Sequence, residues 1–351
     1  MREIASSVNI TDISLGISCG YVQMAYITRA LNDNNEFDIL ISKIEVLIKY
    51  YSNKIIDEFE WKEKGMDHSY YDMIYGLSGV AHYFYYYGKN DDIRIRITNW
   101  LVDIFNFSNE ERVTGFFITP KNILNYDFKI KYSEGYIDLG LSHGVAGVLE
   151  VLAEGYKDRI KVCNLEQTIQ NIYCRYKSTC KKNSYLQFPS ILYKKSQILQ
   201  LDFESRYSWC YGSLGILRVL YKVSKILNLN EDSKEFIESV KLLPINDLSI
   251  YKYSNPIFCH GYAGLYHILN LYNFENYSLN LTKYAMKVEE KIWEYYSSQI
   301  SSFYIDEFKV KPKEILIENS IVDGIGSIVI PLIIGNIGKD VGFFSKMLFV
   351  Q

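Results

Sequence analysis

The residues best suited to chemistry lie in one short stretch, Phe258-Cys259-His260-Gly261-Tyr262-Ala263-Gly264. A second stretch, about fifty residues earlier, shares its frame: Ser208-Trp209-Cys210-Tyr211-Gly212-Ser213-Leu214-Gly215. Thiolate sulfur is a soft ligand and imidazole a borderline one, so two cysteines and one histidine suit Zn²⁺. Three protein ligands leave the fourth tetrahedral position open, which marks a catalytic rather than a structural zinc. Adjacent residues in the middle of a helix diverge by about 100°, too far to share an ion. Cys259 and His260 can share one only on a loop that is just entering a helix, and the glycines that follow fit such a loop. The plain alternative is a buried cysteine acting as a small hydrophobe beside a histidine satisfied in the core. Against it, two of only six cysteines and one of only five histidines fall in the same recurring frame.

That frame organises the chain. A pair of small residues spaced i, i+3 (i, i+4 in the first copy) and followed by an apolar run occurs at Gly16 to Gly20, Gly76 to Gly79, Gly144 to Gly147, Gly212 to Gly215 and Gly261 to Gly264. A degenerate copy follows at Asp323 to Ser327. The interval of roughly fifty to seventy residues accommodates two helices and a connection. The segments after each pair, Val80–Tyr87, Val148–Glu154, Ile216–Ile226 and Leu265–Tyr272, are apolar nearly all round and predict buried helices. Amphipathic segments lie between them at Phe37–Tyr50, Asp91–Phe105, Glu231–Val240 and Leu279–Tyr296. Buried helices alternating with half-exposed ones predict an inner and an outer ring. Two stretches break this pattern. Arg112–Tyr132 carries Phe116-Phe117-Ile118 and Phe128-Lys129-Ile130, and Tyr185–Phe203 alternates around Pro189; both read as short strands.

Composition narrows the function. A net charge of −3 gives no electrostatic case for nucleic acid or for strong attraction to an anionic membrane. The N-terminal residues have no apolar signal core, and the most apolar run, Ser327–Ile334, is too short to span a bilayer. Six cysteines in 351 residues do not resemble a disulfide framework, so a reduced, cytoplasmic setting is expected.

The ordered set Gly76-Leu77-Ser78-Gly79, Ser142-His143-Gly144, Trp209-Cys210-Tyr211-Gly212 and Cys259-His260-Gly261 resembles the lanthionine synthetase C-like proteins, the lantibiotic cyclases. The similarity runs from about Ser14 to Ile334. It implies an all-α fold, an α/α toroid with zinc at the mouth of the inner ring, held by Cys210, Cys259 and His260. The family's histidine falls on His143, its aspartate on Asp72, its arginine on Arg206 and its tyrosine on Tyr211. The family toroid has seven inner helices, whereas six glycine-marked starts are found here. The expectation is therefore a single toroid domain over 1–351 with six to seven hairpin repeats and small β-like insertions around 108–136 and 181–206.

The implied activity is closure of lanthionine and methyllanthionine rings, in which a Cys thiolate adds to dehydroalanine or dehydrobutyrine in a dehydrated precursor peptide of leader plus core. A free thiol is only a few per cent ionised near pH 7, and zinc would ionise it. The enolate that forms needs a proton donor, a role for His143 with Asp72 orienting it. Arg206 would anchor the enolate or a substrate carboxylate, or pair with a structural acid; Tyr211 would assist or merely pack. The implied partners are a dehydratase and a peptide exporter, with room for a peripheral place at the membrane through that transporter. The rival reading keeps the fold and the zinc but makes the chain a non-catalytic peptide- or thiol-binding scaffold. A zinc prenyltransferase subunit or a glycosidase would share the toroid, but no paired-carboxylate constellation supports the latter.

Overall fold

The structure is a computed structural model. It describes residues 15–17, 20–32, 34–60, 64–87, 91–108, 114–203, 207–244, 247–251, 253, 255–275, 279–295, 324–338 and 342–348. In chain order its helices are α1 (Tyr21–Ala30), α2 (Asp38–Glu58), α3 (His68–Tyr71), α4 (Leu77–Tyr86), α5 (Asp91–Asn106), α6 (Tyr126–Lys131), α7 (Val145–Lys157), α8 (Leu165–Thr179), α9 (Ser213–Ile226), α10 (Asn230–Lys241), α11 (Tyr262–Glu275), α12 (Thr282–Glu294), α13 (Gly326–Ile337) and α14 (Phe343–Met347). The strands are β1 (Tyr136–Asp138), β2 (Lys181–Lys182), β3 (Leu186–Gln187), β4 (Ile191–Lys195) and β5 (Ile198–Asp202).

Two burial patterns sort the helices into two rings. Every residue of α7 from Val145 to Gly155 is buried, as is every residue of α11 from Tyr262 to Asn273. In α8 only Leu165, Thr168, Ile169, Ile172, Tyr173 and Tyr176 are buried, a single stripe at helical spacing. α1, α4, α7, α9, α11 and α13 form the inner ring, and α2, α5, α8, α10 and α12 each pack outside the inner helix before them. Neighbouring inner helices pack as α1 on α4, α4 on α7, α7 on α9 and α11 on α13. The step from α9 to α11 is made by the Arg218–Glu275 ion pair and by Tyr221 and Tyr272, whose rings lie 5.4 Å apart. α14 closes the circle. It packs against α1, and Phe344 sits 5.3 Å from the ring of Phe258 and 5.2 Å from that of His267. Among the described residues, then, six inner helices and one short closing helix complete the ring.

The second small residue of the four pairs from Gly76 to Gly264 explains how their loops are held. A Cβ on Gly215 would lie 2.1 Å from the carbonyl oxygen of Trp209, and one on Gly264 would lie 2.2 Å from that of Phe258. Gly79 and Gly147 meet the carbonyls of Met73 and Leu141 in the same way. In each case the chain doubles back across the first turn of the inner helix, and only a hydrogen at that position leaves room for it. Every loop so folded stands at the N-terminal end of its inner helix, so all of them gather on one face of the ring.

Backbone hydrogen bonds lace these loops together. Ile17 N–H donates to Ile74 O (2.6 Å), Met73 N–H to Ser142 O (3.0 Å), Leu141 N–H to Cys210 O (3.1 Å) and Cys210 N–H to Cys259 O (3.2 Å). Phe258 N–H continues the chain to Ser327 Oγ (3.2 Å), and the Trp209 indole donates to Leu348 O (2.9 Å). Buried backbone polar groups are costly unless paired, so this circuit fixes the loops relative to one another.

The strands form a small antiparallel sheet in the order β1-β4-β5, with a two-stranded β2-β3 ladder beside it. Asp138 pairs with Ile191, and Ile191 with Asp202. The β4–β5 turn has Ser196 and Gln197 both at positive φ, the requirement of a type I′ hairpin. The Glu134 carboxylate accepts both of their N–H groups, which steadies the turn. One expectation is corrected here. Phe128-Lys129-Ile130 is helical, not a strand, because Asn125 accepts the Phe128 N–H as an N-cap. Ile118 contributes only an isolated bridge to Tyr136. No helix among the described residues is long and apolar enough to cross a membrane.

Candidate metal centre and acid–base site

Cys210 stands on the loop before α9, and Cys259 and His260 stand on the loop before α11. Their ligand atoms all lie within 4.8 Å of one another. A tetrahedron with Zn–S near 2.3 Å and Zn–N near 2.0 Å has edges of about 3.5–3.8 Å, so a small contraction seats the ion. Cys210 is buried and its two partners are half-buried, so the cluster is reached by solvent from the side of Cys259 and His260. Ser208 Oγ lies 3.6 Å from Cys210 Sγ. Burial alone would raise the Cys210 thiol; hydrogen bonds with Cys259 and His260 and the charge of His260 outweigh it and bring the thiol well below its ordinary range. A set of two thiols and an imidazole with a preference for thiolate is the donor chemistry that zinc selects. No cysteine among the described residues is in a disulfide.

His143 stands on the neighbouring loop, and its Nδ1 meets Asp72 Oδ2 at 2.6 Å. Asp72 is fully buried. Its other oxygen accepts the N–H groups of Tyr75 (2.6 Å) and Gly76 (2.9 Å) at the head of α4. Helix cap and histidine partner are therefore one side chain using two oxygens. Burial works to lower the His143 imidazole. The Asp72 hydrogen bond and charge outweigh it, with further help from Asp138 and Cys210, and hold the group up at about 9. With Nδ1 engaged by the carboxylate, Nε2 is the nitrogen that can face a substrate. The side chain is 22% exposed, so it is accessible from solvent.

Tyr211 is brought to the same place, its ring 5.9 Å from His143, and burial pushes its hydroxyl well above the ordinary range, so it stays protonated. Arg206 lies outside the described residues. Three neighbours of His143 were not singled out in the sequence. Tyr75 stacks on the imidazole at 5.7 Å and 20°, and it is 43% exposed. His68 meets His143 edge-on at 5.7 Å. Asp138, at the end of β1, faces His68 across 3.4 Å. A signal for Asp138 was present in the tight spacing Asp138-Leu139-Gly140-Leu141-Ser142-His143, since an aspartate shortly before a glycine turn commonly holds the turn's N–H groups. His68 carries no such signal.

Comparison with known proteins bears on the family and the fold. A family profile described as lanthionine synthetase C-like protein matches residues 2–330. The nisin biosynthesis protein NisC of Lactococcus lactis subsp. lactis is 28% identical over 284 residues, 78% of this chain. That alignment spans 65% of the relative, just under two thirds of its length. A solved structure described as nisin cyclase superposes with a TM-score of 0.82 at 19% identity, covering 99% of this chain and 83% of the other. The shared fold is the α/α toroid.

Proposed function

The chain belongs to the lanthionine synthetase C-like family, and on that footing we propose that it closes lanthionine and methyllanthionine rings in a dehydrated precursor peptide. The observation that carries the reading is one cluster at one mouth: a Cys210–Cys259–His260 ligand set beside a histidine held by a buried carboxylate.

Zinc held by Cys210, Cys259 and His260 would supply a Lewis acid that ionises a substrate thiol at neutral pH in the open fourth position. The protein does the rest. Its loops fix the direction from which the sulfur approaches the alkene carbon. As the S–Cβ bond forms, the electron pair of the C=C bond moves to the neighbouring carbonyl oxygen as an enolate. His143, kept protonated by Asp72, stabilises that negative charge and then delivers its Nε2 proton to Cα. Tyr211, kept neutral, offers a further O–H at the same mouth. Arg206, four residues before Cys210, is assigned to the enolate or to a substrate carboxylate on the strength of the family motif.

The alkenes arise by loss of water from Ser and Thr, so a dehydrating enzyme must act first. A dehydratase and an exporter working beside this chain, in the cytoplasm or at the membrane's inner face, complete the proposal. Protonation at Cα gives a direct test. In D2O each ring closed should leave one deuterium on carbon, which survives return to H2O. A dehydrated precursor treated with the zinc-loaded protein should gain such deuterium with time and faster than without protein. No enzyme-dependent gain would refute the reading.

A further inference from the structure

His68 and Asp138 repeat, in mirrored order, the pairing of His143 and Asp72. The segment 68–76 supplies His68 and Asp72; the segment 138–144 supplies Asp138 and His143. Each aspartate reaches across to the histidine of the other segment: Asp72 Oδ2 to His143 Nδ1 at 2.6 Å and Asp138 Oδ2 to His68 Nε2 at 3.4 Å. Each also gives its remaining oxygen to a backbone turn, Asp138 Oδ1 accepting the Gly140 N–H at 2.7 Å. Both carboxylates are fully buried. His68 Nε2 and Asp138 Oδ2 have no hydrogen-bond partner among the described residues, so the 3.4 Å approach is the polar contact left to either. The His68 side chain is 23% exposed, nearly the same as the 22% of His143. Its ring is bounded by Tyr71 and Tyr136 at 6.1 and 6.0 Å and by His143 at 5.7 Å. A buried carboxylate oxygen and an imidazole nitrogen with no other polar partner cost stability, and a fold that needed only a turn cap at Asp138 has no use for the histidine.

We propose that His68, held by Asp138, is a second proton-handling residue of the ring closure, taking the proton of the substrate thiol while His143 gives one to the enolate. The inference rests on the cyclase reading and deepens it. Addition of a thiol across an alkene moves one proton from sulfur to carbon. In the tautomer that turns Nε2–H to Asp138, Nδ1 of His68 carries the lone pair that accepts a proton. The S–H bond breaks and its proton passes to Nδ1. The sulfur electron pair forms the S–Cβ bond, the alkene pair becomes the enolate, and His143 Nε2 protonates Cα. One proton passing from His68 to His143 through a single bridging water restores both groups, and no proton is gained or lost overall.

The test uses a synthetic peptide with one dehydroalanine and one cysteine, and zinc-loaded protein. His68→Gln should slow closure at saturating peptide by about a hundredfold, with KM, zinc content and melting temperature kept. Asp138→Asn, which retains an oxygen for the Gly140 N–H, should slow it in the same direction. Imidazole added to His68→Ala should restore a substantial part of the rate, which a merely structural histidine would not allow. If wild type is no faster than the uncatalysed peptide, the cyclase reading itself falls and this dyad with it. If wild type is fast and His68→Gln matches it, or if imidazole restores nothing, the second dyad alone is overturned.

Discussion

The backbone N–H of Cys210 donates to the carbonyl oxygen of Cys259 at 3.2 Å, so the two cysteines are joined through the main chain as well as through their facing side chains. The loops before α9 and α11 thus form one unit, and the geometry of the ligand set is that of the loop pair. Metal analysis of the purified protein should find about one zinc per chain, and Cys259→Ala should lose it. Because bound metal ties two loops, a chelator should lower the melting temperature of wild type and leave that of Cys259→Ala unchanged. Retained zinc in that variant would show the assignment to be wrong.

Asp72 serves two masters, and its amide analogue separates them. In Asp72→Asn the carbonyl oxygen still accepts the Tyr75 and Gly76 N–H groups, so α4 stays capped. The charge that holds His143 protonated is gone. Ring closure should fall with zinc content near wild type, and the melting temperature should drop modestly at neutral pH, where the lost pairing with His143 had contributed. His143→Ala should fall further, by a hundredfold or more, also with zinc kept. Loss of zinc from His143→Ala would instead make it a ligand.

The pH dependence follows from the same pair. His143 sits at about 9, raised above its ordinary value, so its acid form is present below that pH and is lost as pH rises through it. The proton it shares with Asp72 likewise adds stability that is complete below the ordinary histidine value and disappears through about 9. Zinc bound to the two thiolates would cancel their charge, and with it the part of the elevation owed to Cys210. The alkaline limb of the rate profile should therefore lie at or a little below 9, and in Asp72→Asn it should move to lower pH. An alkaline limb unmoved by Asp72→Asn would exclude His143 as the titrating acid.

Much of the frame was legible in the sequence, because close approach of a loop to a helix demands glycine and leaves a visible mark. The four pairs from Gly76 to Gly264 mark the heads of α4, α7, α9 and α11, and the loops before them carry Asp72, His143, Tyr211, Cys210, Cys259 and His260 to one face. What was not legible depended on contacts between distant segments. His68 and Asp138 are seventy positions apart, and contacts between the two segments, among them the Met73–Ser142 backbone bond and the Asp72–His143 pair, bring them together. α8 has no glycine mark, and its apolar stripe is interrupted by polar residues throughout. Phe128-Lys129-Ile130 looked like a strand by its residue types, and a local cap at Asn125 decided otherwise. α14 closes the ring with five residues, too few to show a period.

Glycine replacement tests the frame. A Gly→Ala change within a helix ordinarily stabilises by about 1 kcal/mol. At Gly215 the added Cβ would meet Trp209 O at 2.1 Å, so the sign should reverse, with a loss of about 1–3 kcal/mol as in other overpacked sites. Trp209 cannot yield freely, being buried and bonded to Leu348. Denaturant melts should show the loss, and zinc affinity should drop with it because Cys210 follows Trp209 in the chain. A stabilised Gly215→Ala would contradict the account of how the loops are held.

The most direct test of the cyclase reading counts thiols. Ring closure changes no mass, but each ring consumes one free cysteine, which an alkylating reagent reports. A dehydrated precursor is incubated with zinc-loaded protein, with His143→Ala protein or with buffer, then denatured and alkylated. The account predicts that wild type removes alkylation sites at least about a hundred times faster than His143→Ala, or about 3 kcal/mol of barrier, and that denaturation does not bring them back. Full return of the thiols on denaturation would identify a binding scaffold and contradict the account.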